Sequence, residues 1–189
     1  MTARGWLAGA LGALAAACAS LPPATGGVNY TGRFALIVTG EDRHESVSGR
    51  FALTVDRSDV TLDLSTPLGT TVARVQSGPA GARLTVPSGS GLRTAEGPDP
   101  EALSQQVLGW TLPVSGIRDW IEGRPVPGHP YRLDPGEAGA AQLEQDGWTI
   151  HFPPRDTDGH IRRLDMSRPQ QPDAPAVSLR VVLDQEAGS

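Results

Sequence analysis

The sequence predicts a mainly β fold, a strongly curved antiparallel sheet with two short helices inserted in its middle. Three observations carry this expectation. Apolar and polar residues alternate with a period of two through a succession of short segments, which places each set on its own face of a strand. Turn formers separate those segments, and 23 Gly and 17 Pro against a single Cys suit a turn-rich β protein. Helical spacing appears only between Pro98 and Gly123.

Taken in order, Phe34, Leu36 and Val38 alternate with Arg33, Ala35 and Ile37. After a polar turn at 40–45, Val47, Gly49, Phe51, Leu53 and Val55 alternate with Ser48, Arg50, Ala52 and Thr54. Val60, Leu62 and Leu64 form the next strand, and weaker ones are expected at 70–76, 82–86 and 91–95. Asp99 is a helix cap with Pro100 in the first turn and Glu101 near the positive end. Leu103 and Val107, four apart, share one face of that helix. A second helix is expected from Ser115 to Gly123, with Ile117, Trp120 and Ile121 as its apolar stripe. Strands return at 131–134, at 141–145 and at 148–152, the last two joined by Asp146-Gly147, a strong hairpin signal. Strands at 160–166 and 177–184 complete the set. Such a sheet leaves an open face for the helices to cover. An apolar pocket would then lie between them, although a filled core produces the same alternation.

The N-terminus reads as an export signal. Arg4 precedes an apolar run from Gly5 to Ala17, too short to span a bilayer. The run ends at Ala15-Ala16-Ala17-Cys18, and Cys18 is the only cysteine in the chain. This pattern resembles the bacterial lipobox, where a signal peptidase cuts before a cysteine that becomes acylated. The lipobox favours Leu three residues before the cysteine; Ala15 stands there, with Leu14 one step further out. An ordinary signal peptide cleaved nearby is the other reading. Residues 1–17 are thus expected as a lipoprotein signal peptide, 18–28 as lipidated cysteine and flexible tether, and 29–189 as one folded domain. Ala19 follows the cysteine where Asp would mark inner-membrane retention, so the outer membrane is the expected destination.

Net charge is −5 and every basic residue is Arg. No basic stripe with interleaved aromatics is present, so nucleic acid is excluded as an expected partner. His44, His129, His151 and His160 belong to no nucleophile elbow or metal-binding pair. Asp156 and Asp158 flank Gly159 without the remaining ligands of a calcium loop. Ser88-Gly89-Ser90-Gly91 is a turn. No catalytic residue, metal or cofactor is expected.

Three stretches resemble the LolB family. One is Gly32-Arg33-Phe34-Ala35 followed by Ser48-Gly49-Arg50-Phe51. The second is Leu64-Ser65-Thr66-Pro67-Leu68-Gly69-Thr70-Thr71. The third runs Leu108-Gly109-Trp110-Thr111-Leu112-Pro113-Val114 into Ile117-Arg118-Asp119-Trp120-Ile121-Glu122-Gly123-Arg124-Pro125. Gly147-Trp148 and the closing strand follow in order. The resemblance implies an incomplete eleven-stranded β-barrel whose helical lid encloses a hydrophobic cavity for acyl chains. It implies a monomer that receives acylated lipoprotein cargo from the soluble periplasmic carrier LolA and places it in the inner leaflet of the outer membrane. An envelope-assembly lipoprotein, using the same sheet to bind a protein partner, is the alternative.

The resemblance also assigns roles to residues. The leucine matching Leu68 protrudes and takes part in membrane insertion; on the residues alone, a turn leucine folded back onto the core is equally expected. Trp120 and Trp148 match cavity-facing positions, and Leu53 stands where a third aromatic is expected. Phe34, Leu36, Phe51, Leu62 and Trp110 are further candidates for the cavity wall.

Overall fold

The computed structural model describes residues 27–89 and 91–184. The strands are β1 (Val28–Thr39), β2 (His44–Asp56), β3 (Asp59–Ser65), β4 (Thr71–Gly78), β5 (Gly81–Ser88) and β6 (Gly91–Gly97). Helices α1 (Pro100–Leu108) and α2 (Val114–Trp120) follow, then β7 (Tyr131–Pro135), β8 (Ala141–Gln145), β9 (Trp148–Phe152), β10 (Arg163–Arg168) and β11 (Ala176–Leu183). All eleven strands form one sheet in the order β6-β5-β4-β3-β2-β1-β11-β10-β9-β8-β7. Every pairing is antiparallel. The sheet does not close: β6 and β7 are its edges, and the two helices lie in sequence between them. This is an incomplete barrel with a helical lid.

Alternation sets which face becomes the core. Leu36 and Val38 of β1, Leu53 of β2, Val75 of β4, Leu84 of β5, Leu143 of β8, Ile150 of β9 and Leu164 of β10 are all buried, whereas Ile37 between two of them is exposed. From the lid, Leu103, Val114, Ile117, Trp120 and Ile121 pack into the same cluster. The sheet alone would leave that apolar face wet, so covering it is the lid's contribution to stability.

Local chemistry explains the element ends. Asp99 caps α1 by accepting a hydrogen bond from the Glu101 N–H at 2.9 Å, and the helix stops at Gly109, whose φ of 79° is left-handed. Asp146 and Gly147 both have positive φ, 52° and 78°, as a two-residue hairpin loop requires. Most strand ends shift by one or two residues, and two departures, in α2 and β10, are larger. Helix α2 ends at Trp120, and residues 121–123 continue as turns up to Gly123. β10 begins at Arg163, because the Asp156 carboxylate takes the His160 N–H at 2.8 Å and the Asp158 N–H at 3.0 Å. That local loop occupies the backbone a strand would have used.

Candidate functional site: an apolar slot beneath the lid

A slot lies between the inner face of the sheet and the lid. Phe34 and Leu36 of β1, Phe51 of β2, Leu62 and Leu64 of β3, and Leu179 and Val181 of β11 form its floor. Trp110, Leu112, Pro113 and Ile117 form its roof. Among the described residues no polar side chain borders it. Its cavity volume is about 30 Å³, room for only a very few water molecules, so the slot is nearly shut. A cavity with this lining stays dry, and apolar atoms are the occupants it favours.

The floor owes its shape to glycine. Antiparallel register sets Phe34 opposite Gly49 and Phe51 opposite Gly32. A Cβ on Gly32 would stand 2.7 Å from the Phe51 ring, and one on Gly49 would stand 3.0 Å from the Phe34 ring. Each ring therefore occupies space that a side chain on the facing strand would fill.

The lid is stitched into a unit. The Glu101 carboxylate accepts hydrogen bonds from the Ser115 N–H at 2.7 Å and from its hydroxyl at 2.8 Å, joining the first turn of α1 to that of α2. Burial pushes the Glu101 carboxyl above its ordinary value, a rise that the Ser115 bonds oppose. The Ser104 hydroxyl accepts from the Leu112 N–H at 2.9 Å and donates to the Glu101 carbonyl at 2.8 Å.

Gln145 and Arg43 are among the groups that fasten this unit to the rest of the barrel. On one side lies Gln145 of β8, which is buried. Its carbonyl accepts from the Trp120 indole at 2.9 Å and from the Val126 N–H at 2.8 Å, while its amide donates to the Val126 carbonyl at 3.0 Å. On the other side the Arg43 guanidinium donates to the Gly109 carbonyl at 2.9 Å and to the Leu108 carbonyl at 3.3 Å, holding the end of α1. Arg43 is itself fixed by a bidentate pair with Glu45, which holds the Glu45 carboxyl below its ordinary range.

Of the residues singled out in the sequence, Phe34, Leu36, Phe51, Leu62 and Trp110 border the slot. Leu53, Trp120 and Trp148 do not; they are buried in the core beside it. Trp120 and Trp148 touch each other, with ring centroids 6.5 Å apart and planes inclined at 57°. Sequence reasoning did not single out Leu64, Leu112, Pro113, Leu179 or Val181 as wall residues, although strand alternation already placed Leu64, Leu179 and Val181 inward. Nothing in the sequence pointed to Gln145.

Leu68 stands apart from the core, 96% exposed. Its turn is closed by hydrogen bonds: the Gly69 N–H donates to the Thr66 carbonyl at 2.9 Å and the Thr66 N–H to the Thr70 carbonyl at 2.8 Å. Pro67 fixes the entry, and Gly69 with φ of 91° allows the exit. The turn holds a large apolar side chain in water, where it contributes nothing to the fold. Cys18 lies outside the described residues. No helix among the described residues is long and apolar enough to cross a membrane.

An unclosed antiparallel barrel, an inserted helical lid and a dry slot between them define a lidded half-barrel suited to enclosing apolar groups. Comparison with known proteins gives the family: residues 28–185 match the one described as outer membrane lipoprotein LolB, and the chain belongs to it. An outer-membrane lipoprotein LolB of Ralstonia nicotianae is 39% identical over 194 residues, covering 92% of this chain and 91% of the relative. Proteins of the same name from Cupriavidus metallidurans and Bordetella petrii are 37% and 39% identical, over 90% and 82% of this chain and 90% and 81% of their own lengths.

Proposed function

We propose that this protein is an outer-membrane lipoprotein that accepts other lipoproteins in the periplasm and inserts them into the inner leaflet of the outer membrane. The observation that carries the reading is the all-apolar slot beneath the lid. Cargo arrives on a LolA-type carrier and passes by direct contact. Each acyl CH₂ exposed to water costs about 0.8 kcal/mol, so free release of a multiply acylated cargo would cost tens of kcal/mol. Passage from one apolar enclosure to another avoids that barrier. Transfer then runs downhill in affinity from carrier to receptor to membrane, with no catalytic step.

In this reading residues 1–17 are removed, Cys18 carries the acyl anchor on the periplasmic face, and 18–28 tether the monomeric domain. Phe34, Leu36, Phe51, Leu62 and Trp110 meet the acyl chains. Trp120 and Trp148 brace the lid instead of touching cargo. Leu68 enters the bilayer during delivery; burying one leucine is worth roughly 1.5–3 kcal/mol, enough to orient a turn and too little to anchor a protein.

The small slot volume, about 30 Å³, favours a second reading, in which the lidded sheet binds a protein partner for envelope assembly and takes up no lipid. Transfer decides between them. A form lacking residues before Ala19 is mixed with carrier-bound lipoprotein, and the cargo's partner is read by pull-down. Movement of cargo to this protein establishes the receptor. Cargo that stays on the carrier, with this protein folded and in excess, leaves the assembly reading in place.

A further inference from the structure

Beside the Leu68 turn, three more apolar side chains stand exposed on the outer face of the sheet. Val72 of β4 is 38% exposed and Leu92 of β6 is 43% exposed; Pro87 of β5 is exposed as well. Pro87 pairs directly with Leu92. Continuing the Arg74–Thr85 register by two residues sets Val72 opposite Pro87. The three form a row across adjacent strands, at the rim where the β3–β4 turn carries Leu68. Their neighbours on the opposite face, Ala73 and Leu84, are buried, so the row lies outside the barrel and cannot line the slot.

The charges that flank the row on this face are paired off: Arg74 is held by Asp63 and Arg83 by Glu96, while Arg93, opposite the partly buried Val86, belongs to the other face. The row itself carries no charge to oppose entry at the headgroup boundary. Four small apolar groups fall well short of the roughly 1,000 Å² that a stable protein–protein interface buries. Entry into a bilayer has no such threshold, because each apolar side chain adds its own transfer free energy.

We propose that the membrane-contacting surface extends from Leu68 onto the row Val72, Pro87 and Leu92, so that the barrel docks obliquely with the outer face of β4 to β6 against the headgroup–acyl boundary of a phospholipid bilayer. This rests on the reading of Leu68 as a membrane-entering residue. Oblique docking turns one inserted side chain into a ridge with a defined orientation, and tips the rim of the lidded barrel toward the leaflet that receives the cargo.

The full chain is reconstituted in phosphatidylethanolamine–phosphatidylglycerol liposomes containing a spin-labelled quencher lipid. Single variants Leu68→Cys, Leu92→Cys and Gln76→Cys carry an environment-sensitive fluorophore, and the chain without an added cysteine gives the background from Cys18. Quenching at positions 68 and 92, with none at 76, supports the proposal. Quenching at 68 alone overturns it and leaves the Leu68 reading standing. Absence of quenching at 68 and 92 overturns both. Protection at 92 that appears only on adding a carrier protein, without quenching by lipid, assigns the row to a protein partner and also overturns it.

Discussion

Phe34 lies over Gly49, its ring 3.0 Å from where a Cβ would stand. The absent side chain leaves room for the ring, and the ring becomes part of the slot floor. The same Cβ would run into the Ser65 carbonyl oxygen across the β2–β3 pairing. Gly49→Ala is therefore expected to force β2 away from β3 and lower stability by about 1–3 kcal/mol. A thermal melt should fall by roughly 2–4 °C for each kcal/mol in a domain of this size. An unchanged melting temperature would show that the strands yield at no cost.

Gln145 gives a second expectation. Replacing it with Leu keeps the volume but leaves the Trp120 indole N–H and the Val126 N–H without their acceptor. Each buried donor left unpaired costs about 1–3 kcal/mol. The denaturant midpoint should drop, and hydrogen exchange should speed up first in residues 114–126, because the lid loses its fastening before the sheet opens. Uniform loss of protection across sheet and lid would count against that order.

Leu68→Glu is expected to leave folding and cargo acceptance intact while blocking delivery to membranes. The side chain supports nothing inside the protein at 96% exposure, and a charge at the tip of the turn resists the bilayer. Separate assays of acceptance and delivery check this; equal loss of both would remove the case for a dedicated insertion turn.

Glu101 predicts a pH dependence with a definite sign. Burial raises its folded-state carboxyl above the ordinary 4.5. The neutral acid is thus favoured in the folded lid more than in the unfolded chain. Its contribution is full below about pH 4.5 and is lost as pH rises through the raised value. Glu101→Gln keeps an acceptor for Ser115 and should flatten that part of the stability–pH curve. A curve identical to that of the parent chain would assign the dependence to other groups.

Much of the fold was legible because its signals are local. Asp99-Pro100 starts a helix and Asp146-Gly147 turns a hairpin wherever they occur, and strand alternation separated Leu36 from Ile37 without knowledge of any neighbour. His160 was misread as strand because the competing hydrogen bond comes from Asp156, whose side chain has no period. The wall of the slot was half legible. Alternation says that Leu53 and Leu62 both face inward, but only the curvature of the sheet and the position of the lid decide that Leu62 borders the slot and Leu53 does not. The role of Gln145 was hidden for a similar reason: its partners Trp120 and Val126 are brought to it by the helix–loop crossing, which leaves no mark on nearby sequence.

The order of strands also sets when the molecule can be finished. β1 pairs with β2 on one side and with β11 on the other, so the two ends of the domain meet in the middle of the sheet. A chain delivered N-terminus first can build β1 to β6 by successive hairpins, yet its central strand keeps a bare edge until the last residues arrive. That exposed ladder is an invitation to pair with a neighbouring chain. The folding intermediate, more than the native state, is where this architecture is vulnerable, and loss of residues 176–183 would leave the barrel split at its centre instead of trimmed at its rim.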